Sequence, residues 1–311
     1  MINDGFNNPK KSLVLLGLDK KFKFLLNLHK TKKLPKVLML SGNKGNGKFT
    51  LINHFLAYTF DEENYILSKS TINDKTSFYK HYMNDVFPNI ITLSGSLYKN
   101  VKIEDIRNLK SMLSKSSALS KKRFIILDDI ELFNTNTLNA LLKIIEEPSE
   151  NNYFILINNK TKPLIETIYS RSIEIKIFLN NKDRIEIIRS LIEKNNINVL
   201  IDYKDTYISP GNFLLFNMIC DVNSISPSDN IMTNLSLLLN LYKKKKEISL
   251  IRMILFLVDV HYTNLIKNKN DGIDSIIENK SFIISSINNY TNINLSQSSL
   301  LNVIKDRLTD G

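Results

Sequence analysis

Ser41 to Thr50 reads SGNKGNGKFT, and the rest of the chain takes its meaning from this stretch. Gly42, Gly45 and Gly47 fall within six residues of a chain that has only nine glycines. Glycine at such positions lets successive backbone N–H groups converge on an anion at a helix start. Lys48 adds a positive charge for the outer phosphates of a nucleotide. The flanks agree. Val37 to Leu40 (VLML) has the pattern of a buried strand, and from Thr50 onward TLINHFLAY has helical spacing. Strand, glycine loop and helix in that order predict a phosphate-binding loop. Gly42, Gly45, Asn46, Gly47, Lys48, Phe49 and Thr50 are its candidate contacts to ATP or ADP.

Outward from the loop, residues 1 to 178 alternate between strand-like and helix-like segments, as in an α/β domain with a parallel sheet. Asn89 to Leu93 (NIITL), Phe124 to Asp129 (FIILDD) and Tyr153 to Asn158 (YFILIN) read as further strands. Ile103 to Leu113 reads as an amphipathic helix, and Thr137 to Glu147 as a helix stopped by Pro148. Asp61 to Asn84 is polar, with variable loop and helix expected. After Phe178 nearly everything has helical character, and Ser224 to Asn230 (SISPSDN) is the best linker candidate. The expected division is therefore 1–178, an α/β domain; 179–230, a small helical domain; and 231–311, a C-terminal helical domain.

Bulk properties bound the function. A chain of 311 residues is too long for one ordinary core. Hydrophobic content of 43% with 23% charge marks a folded chain, not a disordered one. The N-terminus, MINDGFNNPKKSL, has no apolar core of a secretory signal. The longest apolar run, near Ile251 to Val260, is short for a bilayer and carries Arg252. Cys220 is the only cysteine, which excludes internal disulfides and any cysteine-based zinc site. A cytoplasmic protein with no membrane partner is expected. The net charge of +11 is a weak sign of nucleic acid, because only seven of the 42 basic residues are arginine. Lys, Asn and Ile are abundant throughout, as in AT-rich coding DNA, so Lys243 to Lys246 (KKKK) reads as solvated surface.

Asp128 and Asp129 end an apolar strand that a parallel sheet would bring beside the loop. One carboxylate can help hold Mg²⁺ and the other can polarise water. Asn158, at the end of the fourth strand, completes the candidate nucleotide contacts.

Three runs carry a resemblance: Asn139-Ala140-Leu141-Leu142-Lys143, then Glu146-Glu147-Pro148, then Ser170-Arg171-Ser172. With the loop and the acidic strand, they resemble the ATPase core of bacterial DNA polymerase III clamp-loader subunits, which are AAA+ proteins, and the delta-prime branch most closely. The resemblance covers roughly residues 12 to 178, extends weakly through Ser209-Pro210-Gly211, and rests beyond that on helical character alone. It implies an AAA+ P-loop core, a helical lid and a C-terminal collar, in a hetero-pentamer with motor and delta subunits. Through that complex the chain would meet a sliding clamp and primed DNA. Arg171 stands where the family's SRC motif carries an arginine that reaches the neighbouring subunit's ATP, with Ser172 in place of the cysteine. Asp129 aligns with the family's glutamate base, one methylene shorter, which leaves Asp128 for the metal.

Three departures weaken hydrolysis at the chain's own site. Phe49 supplies no hydroxyl to Mg²⁺, and Thr50 lies about 100° further round the helix. Asp129 is short, and a misplacement of about 1 Å in a catalytic group can lose roughly 100-fold in rate. Asn212 replaces the sensor arginine expected after Pro210-Gly211. ATP or ADP binding is retained as an expectation, with Mg²⁺ disfavoured. The alternatives are a motor-type, gamma/tau-like ATPase of the same ring, and an unrelated P-loop nucleotide kinase. A kinase would need an arginine-rich acceptor pocket, which this core lacks. Nothing in the sequence argues for a polymerising site.

Overall fold

The computed structural model describes residues 8–95, 101–113, 122–204, 206–226, 230–268, 273–293 and 296–309. Packing divides the chain into two compact units, Met1–Ile197 with Tyr207–Leu215, and Asn198–Thr206 with Phe216–Gly311. The functional division expected from sequence, at 1–178, 179–230 and 231–311, is a different one from these packing units.

The first unit is built on a five-stranded sheet. Its elements run α1 (Asp19–Lys30), β1 (Val37–Ser41), α2 (Lys48–Phe60), α3 (Ser77–Met83), β2 (Ile90–Ser94), α4 (Ile103–Leu113), β3 (Arg123–Asp128), α5 (Thr135–Ile145), β4 (Asn152–Asn158), α6 (Glu166–Tyr169), β5 (Ile173–Lys176) and α7 (Asn181–Asn195). The strand order is β2-β3-β4-β1-β5, and every pair is parallel. The apolar strands β1, β3 and β4 are buried on both faces, while β2 and β5 are the half-buried edges.

Side-chain alternation assigns the helices to faces. Leu38, Leu40, Phe124, Ile126, Ile155 and Ile157 share one core with Phe22 of α1, Phe55 of α2, Phe78 of α3 and Ile187 of α7. Val37, Met39, Ile125, Leu127, Phe154 and Leu156 share the other with Ile106 of α4, Leu141 of α5 and Ile168 of α6. The helix after β1 thus lies on the face opposite to those after β2, β3 and β4. The carboxyl ends of β1 and β4 are therefore the point where the winding changes direction. Open α/β sheets bind ligands at such points.

Local chemistry sets the element ends. The Asn134 side chain caps α5 by accepting from Thr137 N at 2.9 Å, and Asn180 caps α7 by accepting from Asp183 N at 2.8 Å. Asp129 lies outside the strand expected to contain it: β3 ends at Asp128, and Asp129 turns to φ 51°.

Helix α8 (Pro210–Val222) is divided in sequence, residues through Leu215 belonging to the first unit and the rest to the second. The second unit continues with α9 (Ile231–Lys245), α10 (Ile248–Asn268), α11 (Ile273–Ile293) and α12 (Gln297–Thr309). These four pack in a closed cycle, α9 on α10, α10 on α11, α11 on α12 and α12 on α9. Leu235, Leu239, Ile254, Val258, Ile283, Ile287 and Ile304 form its buried centre. The middle of the linker candidate, residues 227–229, lies outside the described residues. The apolar run of this region is longer than its sequence indicated. Ser249–Lys267 within α10 is long and apolar enough to cross a membrane by length and composition. Its Met253, Ile254, Val258 and Tyr262 are buried, and α10 packs on α9 and α11, as in the core helix of a bundle.

Candidate functional site

The glycine loop joins β1 to α2 at the winding change. Gly42 (φ 146°) and Gly45 (φ 87°) take backbone conformations that side chains rarely adopt. A Cβ at Gly42 would collide with the Ile177 carbonyl oxygen, and one at Gly45 with Ser209 Oγ. Gly42 N donates to the Asn158 carbonyl at 3.2 Å, which ties the loop to the end of β4. The segment that opens α8 closes on the loop from its other side. Ser209 Oγ donates to the Lys44 carbonyl at 2.7 Å, and Gly211 N to the Gly45 carbonyl at 2.9 Å.

Lys48 is 3% exposed and donates to the carbonyls of Gly42 at 2.7 Å and Asn43 at 2.8 Å. Burial lowers its pKa to about 8 against the opposing charges of Asp128 and Glu131, so it keeps its charge at neutral pH. Asp128 is raised to about 6, first by burial and then by the charge of Asp129 beside it. Two carboxylates, Asp128 and Asp129, and two lysines, Lys44 and Lys48, thus share the carboxyl edge of β1 and β3.

Asp129 is 0% exposed and fully engaged. Lys44 Nζ reaches Oδ1 at 2.7 Å and Oδ2 at 2.5 Å, and Asn159 Nδ2 donates to Oδ1 at 2.7 Å. Glu131 lies behind them at 4% exposure, accepting from Asn159 N at 3.1 Å and Thr161 Oγ1 at 2.7 Å. Lys44, Glu131 and Asn159 have no role in the sequence reading. The only signal for Glu131 was a third acid shortly after the pair.

Phe49 is partly buried and packs against the core shared by α1 and α2. Asn46 N turns back to the Asn43 carbonyl at 3.3 Å, and Thr50 is half-buried. Asn158 is 1% exposed and spends its side chain on its own chain. Nδ2 donates to Tyr169 Oη at 2.9 Å, and Oδ1 accepts from Lys160 N at 2.8 Å. The glycine loop, the start of α2 and Lys48 lie together, with the Lys48 ammonium turned onto the loop's own carbonyls. Phe49 carries no hydroxyl for a metal, and Asp128, the carboxylate left for Mg²⁺, accepts from Asp129 N at 3.0 Å. Among the described residues no group of three or more His, Cys, Asp or Glu is placed to hold a metal ion.

Arg171 stands apart from this cluster, just beyond α6. Its Nη2 donates to Glu146 Oε1 at 2.9 Å and its Nη1 to the Thr167 carbonyl at 3.3 Å. Ser172 Oγ donates to the Ile168 carbonyl at 2.9 Å, a small polar tie that tightens the same turn.

Sheet, faces and loop define an AAA+-type α/β core followed in sequence by helices. A profile of the family described as "DNA polymerase III, delta subunit" matches residues 17–180, more than half of the chain, and the chain belongs to that family. The DNA polymerase III subunit delta' of Buchnera aphidicola subsp. Baizongia pistaciae is 26% identical over 189 residues, 58% of this chain and 54% of that protein. Its counterpart from Buchnera aphidicola subsp. Schizaphis graminum is 26% identical over 203 residues, 63% and 60% of the two chains. The DNA polymerase III subunit gamma of Buchnera aphidicola subsp. Acyrthosiphon pisum is 26% identical over 147 residues, 47% and 39%. The chain thus spans about half the length of the curated relatives it matches. Among solved structures, a DNA polymerase III gamma subunit-related protein from Thermotoga maritima shares the fold, with TM-score 0.50, 16% identity and coverage of 91% of this chain and 98% of that one.

Proposed function

We propose that this chain is a delta-prime-type subunit of a DNA polymerase III clamp loader, with little or no ATP hydrolysis of its own. The observation that carries the reading is Asp129, buried and held on both oxygens by Lys44 where a working site needs a free base. A carboxylate so neutralised accepts no proton from an attacking water. The loop keeps an anion-binding helix start for ATP or ADP. In the complex the chain's contribution to catalysis is Arg171, placed against the nucleotide of a neighbouring motor subunit. A guanidinium there stabilises charge developing on the phosphoryl oxygens, an effect of about 10³ to 10⁵ in rate in nucleotide hydrolases that use an arginine finger. Residues 1–178 serve as the AAA+ core, 179–230 as a lid, and 231–311 as the collar that joins the ring. The partners are motor and delta subunits in a hetero-pentamer, and through it a sliding clamp and primed DNA. The setting is the cytoplasm.

A motor-type role is the second reading, favoured by the relatives named as gamma subunits. Family membership leaves the unrelated kinase without support. An ATPase assay of the purified chain separates the two remaining roles. The delta-prime reading expects no steady turnover. A rate near 1 s⁻¹, within the ordinary enzyme range and abolished by Lys48→Ala, would establish the motor reading instead.

A further inference from the structure

The Glu146-Glu147-Pro148 run after α5 and the Ser170-Arg171-Ser172 run after α6 are joined by one ion pair, between residues 25 apart in sequence. Arg171 Nη2 meets Glu146 Oε1 at 2.9 Å, while Nη1 donates to the Thr167 carbonyl at 3.3 Å. The Arg171 Nε is buried. A guanidinium has five N–H groups in a planar fork. These two contacts leave one N–H on each Nη atom for a bidentate grip on phosphate oxygens. The arginine side chain is 33% exposed, enough to be reached from outside.

The holding atoms sit on fixed supports. Glu146 follows directly on Ile145, which is 2% exposed, and Leu141 one turn earlier is 0% exposed. Thr167 precedes Ile168, also 0% exposed, and Tyr169 Oη accepts from Asn158 at the end of β4. From this geometry we infer that Glu146 is the positioning residue for Arg171, holding its fork in the orientation a neighbour's phosphates require. The inference rests on the reading of Arg171 as an arginine acting on the next subunit.

The strength of the pair decides between holding and locking away. Glu146 is 58% exposed, and an exposed ion pair shifts an equilibrium by at most about fivefold. That is too weak to withhold an arginine from a phosphate. It is enough to bias which rotamer a long side chain occupies, and rate follows the fraction in the competent state. Glu146→Ala should therefore slow the site that Arg171 serves, by up to about fivefold.

The test is primed-DNA-stimulated ATPase of the complete clamp loader, reconstituted with its motor and delta subunits. The loss in each variant is expressed as a share of the loss in Arg171→Ala. Slowing of up to about fivefold at the served site predicts a measurable share of that loss for Glu146→Ala, up to about four-fifths, with the KM for ATP unchanged. Glu146→Gln, which keeps the Oε1 acceptor, should retain most of the rate. Glu146→Ala should add nothing in the Arg171→Ala background. If Arg171→Ala itself loses nothing, the reading beneath the inference fails. If Arg171→Ala is slow but Glu146→Ala matches wild type, exceeds it, or adds its effect independently, then Glu146 does not position Arg171.

Discussion

Replacing Lys44 with methionine removes the cation from a carboxylate that has no access to water. Asp129 is 0% exposed and keeps the neutral Asn159 Nδ2 as a hydrogen-bond donor once the ammonium is gone. Breaking a buried pair by removing one partner costs about 3–5 kcal/mol. The Lys44 side chain is 27% exposed, so water already reaches one side of the pair and the lower end, about 3 kcal/mol, is expected. Asp129→Asn is the gentler change. Asparagine accepts the φ of 51° at this position, and Lys44 can turn to solvent, so about 1 kcal/mol is expected. In the double variant no buried charge is left alone, and its loss should stay near that of Asp129→Asn. The coupling between the two sites is then about 2–3 kcal/mol. The chain has no tryptophan, so urea unfolding followed by circular dichroism at neutral pH is the suitable assay, fitted to the transition of the sheet-bearing unit. Additive losses, with coupling under about 0.5 kcal/mol, would refute the lock on Asp129 and remove the main structural argument against a working site.

Two further outcomes are expected. His54 is buried between Tyr65 Oη at 2.9 Å and the Ser12 carbonyl at 3.0 Å, so Nε2 donates and Nδ1 accepts; burial lowers its pKa from 6.5 to about 4. The unfolded chain therefore protonates first as pH falls, so this stability is present above about pH 6.5 and about 3 kcal/mol of it is lost on the way to pH 4. The urea midpoint against pH should fall more steeply for wild type than for His54→Gln, and identical slopes would clear His54 of the effect. Phe49→Thr should lower thermal stability by roughly 1–2 kcal/mol, part of the 3–5 typical of a fully buried aromatic, because the ring is only partly buried against the core. An unchanged melting temperature would put that ring in solvent.

The periodic parts of the fold were legible before any coordinates. The all-apolar VLML and FIIL segments, and the Ile106 and Leu109 stripe of α4, announce a buried strand or a helix face whatever surrounds them. Strand β5 was not legible, because four residues alternating Ile-Glu-Ile-Lys at a sheet edge carry too short a pattern to stand out. The glycine loop could be read because its backbone demands are local. The expectation of weak hydrolysis came in part from Phe49. The lock of Lys44 on Asp129 spans 85 residues and depends on strand register, which no local pattern encodes. The pairing of Arg171 with Glu146 was hidden for the same reason, although both residues had drawn notice separately. Asn158 was read as a nucleotide contact, and the meeting of its amide with Tyr169 and Lys160 was not visible in the sequence.

Arg171 tests the central claim most directly. The arginine lies in an exposed turn, and ion pairs of that kind contribute only about 0–1 kcal/mol to folding. Arg171→Ala should therefore leave the chain folded and able to join its partners. The reconstituted clamp loader carrying wild type, Arg171→Ala or Arg171→Lys is assayed for ATPase stimulated by clamp and primed DNA, and for clamp loading. A partial fall in ATPase is predicted, because under the proposed arrangement only one site of the ring would face this subunit, with a larger fall in loading. Lysine should not rescue either, since a point ammonium cannot reproduce the planar fork. Unchanged rates in a fully assembled complex would contradict the account and return Arg171 to the status of a surface residue.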